Sequence, residues 1–252
     1  MFKARMSDIS LLKDSVETIA QLIDEGIFKA TPEGLTLMAA DRAMVAVVDF
    51  HLDKSAFDEF NVDGEVTMAL NIDNLLQILR RAKAGDTVDL ELTPDGSKLK
   101  ITIIGSTQRE FSIPLLDITE GEVPPTDQLE FDAKFDISSK LLEEGVNDAD
   151  IVSDSVVFYL TENEFIMKTE GDSSTVEMRL KKGSDGLENI ILKGRESVRS
   201  RYALEYLKKM MKATKISDTV RVKMGKDYPL RMDFVQPGKI RMSFVLAPRV
   251  ED

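Results

Sequence analysis

The chain contains no cysteine and no tryptophan, and only one histidine among its 252 residues. Without cysteine there is no disulfide, thiolate metal site or cysteine nucleophile. With His51 alone, a histidine-cluster metal site is excluded, and a surface or turn histidine explains it more simply than a catalytic base. Aromatic residues make up 6% of the chain, too few for a nucleic-acid platform built from stacked rings. No run approaches the roughly 20 apolar residues of a membrane span. The start, Met1-Phe2-Lys3-Ala4-Arg5, carries no apolar stretch of the kind a signal peptide needs. No G-x-x-x-x-G-K-[ST] occurs and no strand-G-x-G-x-x-G-helix unit, so the usual phosphate cradles are missing. Positive charge is also in deficit: 33 Lys and Arg stand against 45 Asp and Glu, a net charge of −12. A general nucleic-acid binder is disfavoured unless its cations are gathered on one surface.

What the chain does have is an internal repeat. Leu11-Leu12-x3-Val16 returns as Leu141-Leu142-x3-Val146, and Ile27-Phe28-x2-Thr31 as Val157-Phe158-x2-Thr161. Both pairs share an offset of 130 residues, as do Asp24 and Asp154. Asp86-Thr87-Val88 returns as Asp218-Thr219-Val220 at an offset of 132. An ordered series at a nearly constant offset implies a duplicated domain. Residues 1–116 and 131–252 are read as the two copies, with 117–130 between them. This connector is acidic and includes Pro124-Pro125, which favours an extended, semi-rigid link.

Each half reads as α+β, two helices laid on one face of an antiparallel sheet. In the first half Ile9, Leu12, Val16, Ile19 and Ile23 fall on one helical face. Ser7 or Asp8 is placed to cap that helix and Gly26 to end it. Strands follow at 34–38, 44–48 and 66–70. A second helix then carries Ile72, Leu75, Leu76, Leu79 and Ala82 inward. Strands at 88–92 and 99–103 are joined by the turn Thr93-Pro94-Asp95-Gly96. In the second half helices are expected at 138–149 and 201–214. Strands are expected at 156–160, 164–168, 175–180, 219–224, 231–235 and 241–246.

The second helix of each half is basic on its outward face. The first carries Arg80, Arg81 and Lys83; its counterpart carries Lys208, Lys209, Lys212 and Lys215. Lys208, Lys212 and Lys215 form a stripe at spacings of four and three. At the 132 offset Arg80 matches Lys212 and Lys83 matches Lys215. Packing does not demand this, although a solvated helix face is the ordinary explanation of such a run. A lysine stripe suits phosphates: it releases counterions and reads no bases. Acidic groups at Asp148/Asp150/Asp154 and Glu120/Glu122 have the chemistry to hold a magnesium ion, but solvated loops explain them more simply. A binding scaffold without DNA and a carboxylate-dependent metal hydrolase are therefore the competing readings.

Several motifs together resemble the proliferating cell nuclear antigen family, its archaeal members most closely. They are Leu246-Ala247-Pro248-Arg249-Val250-Glu251-Asp252, Leu35-x-Leu37-x3-Asp41-x2-Met44-Val45, Ser153-Asp154-Ser155 with Phe165-x-Met167-Lys168, and Tyr228-Pro229-Leu230. The resemblance spans the whole chain. It implies a DNA-clamp fold with three subunits closing head-to-tail into a ring, and no enzymatic activity, cofactor or metal. It implies that Lys13, Arg80, Arg81, Lys83, Lys140, Lys208, Lys209, Lys212 and Lys215 face double-stranded DNA without sequence preference. It places subunit contacts on strands at about 109–116 and 173–181, with Phe111, Ile113, Thr175, Glu177 and Arg179. A pocket at Ala40, Met44, Val45, Val123, Pro124, Pro229, Val245, Ala247 and Pro248 would take a short glutamine-and-aromatic motif. The implied partners are a polymerase, a flap nuclease and a ligase, with a clamp loader to open the ring. The implied setting is the cytoplasm of an archaeal cell, at the nucleoid, with no membrane. Two features depart from the family pattern: the acids Glu143, Glu144, Asp148 and Asp150 on the third helix, and the small Val123 in the connector.

Overall fold

A computed structural model describes residues 1–250. The chain forms two compact units. The first comprises Met1–Arg42, Val48–Val123 and Gln236–Met242; the second comprises Ala43–Val47, Pro124–Val235 and the chain from Ser243 onward.

In the first half, β1 (Phe2–Met6) lies between β5 (Glu59–Val62) and β7 (Thr87–Leu92). The sheet continues through β8 (Lys98–Ile104) to β9 (Gln108–Pro114), its edge strand. The other strands are β2 (Glu25–Thr31), β3 (Gly34–Ala40), β4 (Ala46–Asp53) and β6 (Val66–Asn71). β2 pairs antiparallel with both β3 and β6. Helices α1 (Ser10–Ile19) and α2 (Ile72–Leu79) pack on each other, and α2 also touches β6 and β9.

The second half repeats this plan. β10 (Ala133–Ser138) lies between β14 (Leu187–Leu192) and β16 (Thr219–Met224), and β17 (Leu230–Gln236) adds to β16. A four-stranded sheet runs β13 (Thr175–Lys181), β12 (Glu164–Glu170), β11 (Ser155–Thr161), β15 (Ser197–Ala203). Helices α3 (Ser139–Asp150) and α4 (Leu204–Met210) pack together, and α3 touches strands of both sheets. β18 (Ile240–Leu246) is the last strand.

Alternation explains the ladders. Phe158 and Leu160 of β11 turn inward beside Met167 and Phe165 of β12, with Val157 and Tyr159 on the other side. Leu12, Val16 and Ile19 bury one face of α1, and Ile72, Leu75, Leu76 and Leu79 bury most of α2. The core holds Phe28 against Phe50 and Phe158 against both Phe165 and Tyr202.

The structure corrects the sequence expectations at several points. The strands of each half fall into more than one sheet rather than the single sheet expected, and the short strands at 59–62 and 187–192, which give no long alternating pattern, were not foreseen. α1 stops at Ile19, and Gly26 is a strand residue of β2. A side chain there would press Leu37 Cδ1 at 2.7 Å and Ile72 Cδ1 at 3.1 Å, so the glycine serves close packing. Neither Ser7 nor Asp8 caps α1; Asp8 instead accepts the Ser10 N–H in the turn before it. The strand placed at 44–48 begins at Ala46, because Met44 has a left-handed backbone at φ 57°. The helix placed at 201–214 starts only at Leu204. Arg201 and Tyr202 pair with Val157 and Val156 in the sheet, and residues after Met210 tighten into a 3-10 turn, Met211–Lys215. Ala82 lies beyond the end of α2.

Candidate functional site

The duplicated aspartates build the start of the second helix in both halves. The Asp24 carbonyl accepts the Ile72 N–H at 2.9 Å, and the Asp154 carbonyl accepts the Leu204 N–H at 2.9 Å. Asn71 adds a side-chain cap, its Oδ1 accepting the Asn74 N–H at 2.9 Å. The cations at the far end of each helix are thereby held in fixed register.

Several of the expected cations are already engaged. Arg80 Nη2 donates to Glu17 Oε1 of α1 at 2.6 Å. Lys208 Nζ donates to Asp150 Oδ2 of α3 at 2.6 Å. Lys209 meets Glu205 at 2.9 Å and lies over the Tyr206 ring, and Lys140 reaches Glu144 at 4.0 Å. Arg81, Lys83, Lys212 and Lys215 are exposed, and Lys13 on α1 is half-buried. The expected cations thus fall on the helix pair of each unit, five after or on α4 and α3 and four on α1 and after α2. The third-helix acids, read as a departure, include the partner of Lys208.

Seven of the nine proposed pocket residues belong to the second unit: Met44, Val45, Pro124, Pro229, Val245, Ala247 and Pro248. Met44 is 49% exposed, and the other six are half-buried. The Ala247 N–H donates to the Val45 carbonyl at 2.9 Å. The buried Tyr202 hydroxyl donates to the Tyr228 carbonyl at 3.0 Å, which fixes the backbone entering Pro229. Burial pushes that phenol up. Ala40, at the end of β3, and Val123 belong to the first unit and are half-buried.

The sequence reading missed what fastens the 247–250 segment. The Arg249 N–H donates to the Arg201 carbonyl at 2.8 Å, and the Arg249 guanidinium meets Asp154 at 2.7 Å. The Arg249 hydrogen bond holds the Asp154 carboxyl below the usual range. In the first half, the Leu116 N–H makes the equivalent bond to the Ala69 carbonyl at 2.9 Å. The recurrence of Asp24 and Asp154 was the available signal. Glu251 and Asp252, quoted in the terminal motif, lie outside the described residues.

The expected contact strands are both sheet edges. On β9, Phe111 is half-buried and Ile113 buried. On β13, Thr175, Glu177 and Arg179 are exposed, and Arg179 donates to Glu164 at 2.8 Å and to Glu177 at 2.7 Å. The alternate residues Val176, Met178 and Leu180 are the apolar, half-buried ones, and the sequence reading did not include them. Among the described residues, no three histidine, aspartate or glutamate side chains converge as a metal-binding group. Asp150, Asp154 and Glu120 are instead paired with Lys208, Arg249 and Lys29.

Two like α+β units with a cationic helix pair in each define the duplicated clamp-domain class. The proliferating cell nuclear antigen N-terminal domain matches residues 1–120, and its C-terminal domain matches residues 126–249. The chain belongs to the proliferating cell nuclear antigen family. A relative from Pyrococcus horikoshii named DNA polymerase sliding clamp is 39% identical over 237 residues, 94% of each chain. DNA polymerase sliding clamp 1 of Thermococcus kodakarensis is 38% identical over 239 residues, 95% of this chain and 94% of the relative. The crystal structure of proliferating cell nuclear antigen from Thermococcus kodakaraensis superposes with a TM-score of 0.89 at 26% identity, covering 99% of this chain and 100% of that one.

Proposed function

We propose that this chain is a DNA sliding clamp, a non-catalytic ring of three copies that encloses duplex DNA and tethers a polymerase to it. The observation that carries the ring is the pair of edge strands β9 and β13. In the duplicate, β18 corresponds to β9 and β4 to β13. Arg241 of β18 meets Asp49 of β4 at 3.2 Å within the first unit, and Ala247 bonds Val45 within the second. The like contact for β9 and β13 requires a second copy. Repeated head-to-tail, such a heterologous contact closes a ring when its rotation closes.

Enclosure makes tight DNA binding unnecessary. The cations of both units, from Lys13 to Lys215, centre the duplex through phosphates without reading bases. The exposed Met44, with the half-buried Val45, Pro229 and Ala247, takes a short glutamine-and-aromatic motif of a polymerase, flap nuclease or ligase. Tethering raises that partner's local concentration. A separate loader supplies the energy that opens the ring.

Light scattering tests the assembly: a mass about three times the 28.2 kDa subunit is expected. Retention on DNA tests the topology. The loaded protein should stay on closed circular duplex and leave once the circle is cut. Equal loss from both would refute enclosure.

A further inference from the structure

In each half, a carboxylate on the first helix holds a cation at the second. Glu17 of α1 takes Arg80, and Asp150 of α3 takes Lys208, each at 2.6 Å. The pairs occupy different positions of the repeat. Arg80 corresponds to Lys212, whereas Lys208 corresponds to Leu76, a buried residue of α2. The arrangement therefore recurs although the residues that make it do not. Neither contact is needed for packing, because all four groups lie at the surface, with Glu17 the least exposed at 23% of its side chain.

We propose that Glu17 and Asp150 are positioning residues that compete with DNA phosphates for Arg80 and Lys208, and so keep the clamp's grip weak. The inference rests on the DNA-enclosing reading. Its physics is counterion exchange. A lysine facing bulk salt gives the duplex a reason to bind, because its arrival frees condensed cations from the phosphates. A lysine already neutralised by aspartate must first give that partner up. An exposed pair is a small obstacle, so the cation still swings to a passing phosphate and back. Such brief contacts suit a ring that must move along the duplex.

The test compares Glu17→Gln, Asp150→Asn and their double variant with the parent protein. Asp73→Asn serves as control: it removes the same charge from α2 at an exposed position outside these pairs. Fluorescence anisotropy with a labelled duplex is measured over a series of salt concentrations. Each paired-site variant should bind about two- to fivefold tighter, and its log-affinity should fall about 0.9 more steeply with log salt per freed cation. Asp73→Asn should move affinity slightly and leave the slope alone. Adding Lys208→Ala to Asp150→Asn should abolish that variant's gain. Diffusion of the loaded double variant along stretched DNA should slow. Parental affinity and slope in both paired-site variants would overturn the proposal, as would a slope change of equal size in Asp73→Asn. If the parent is retained by neither linear nor circular duplex, the DNA reading itself fails.

Discussion

Gly34 opens β3 at φ 149°, and a Cβ there would lie 2.2 Å from the Leu52 carbonyl oxygen. The obstacle is backbone, so no side chain can turn away to relieve it. Gly34→Ala should cost about 3 kcal/mol, visible as a Tm lower by roughly 6–12 °C. Asp233 presents an electrostatic case. Burial pushes its carboxyl up, but bonds from Lys223 and Arg231 outweigh it and hold the group below the usual range. Lys223 and Arg231 each approach to 2.8 Å. Asp136 behaves alike: burial opposes ionisation, and Arg221 and Asn189 win. A carboxyl depressed in the folded chain stabilises it fully above the unfolded value of about 3.9, and the stability drains away as pH falls below that. Melting temperature should therefore drop through the acid range. Asp233→Asn should flatten that drop while costing about 3 kcal/mol near neutrality, measurable by denaturant titration at both pH values.

At the scale of the element, β13 is the place where the proposed assembly can be broken. Val176, Met178 and Leu180 alternate along an edge, half-buried in the single chain. The equivalent face of β4, Val48, Phe50 and Leu52, is completely buried. Met178→Asp with Leu180→Asp should convert the expected trimer to monomers by light scattering, and should also lower the Tm, because Met178 lies against Gly145 of α3. This contrast also shows what a sequence discloses. The repeat was legible because core positions such as Leu12 and Leu142 are fixed by packing, and packing is the same in both copies. The helix read at 201–214 failed at its start because Tyr202 satisfies a sheet ladder as readily as a helix face. The exposed residues of β13 were named and its apolar ones omitted, because burial on an edge depends on a neighbour the sequence does not specify. The ion pairs of the helix faces were hidden for a related reason. Glu17 and Arg80 are 63 residues apart, and Asp150 and Lys208 are 58 apart; only the fold makes them neighbours.

Across the whole molecule, the proposed DNA contact has to coexist with an acidic chain. The net charge is −12, and nine of the 33 Lys and Arg lie on the four helices or at their ends. The two compact units are not two consecutive pieces of chain. The first borrows Gln236–Met242 and the second borrows Ala43–Val47. Severing the polypeptide after Val123 would deprive each fragment of a piece it needs. Expressed singly, residues 1–123 and 124–252 should be insoluble or molten, with weak amide protection. Produced together in one cell, they should find each other and restore a cooperative thermal transition, so the intact polypeptide guarantees by covalent linkage a match that the two fragments would otherwise reach only by collision.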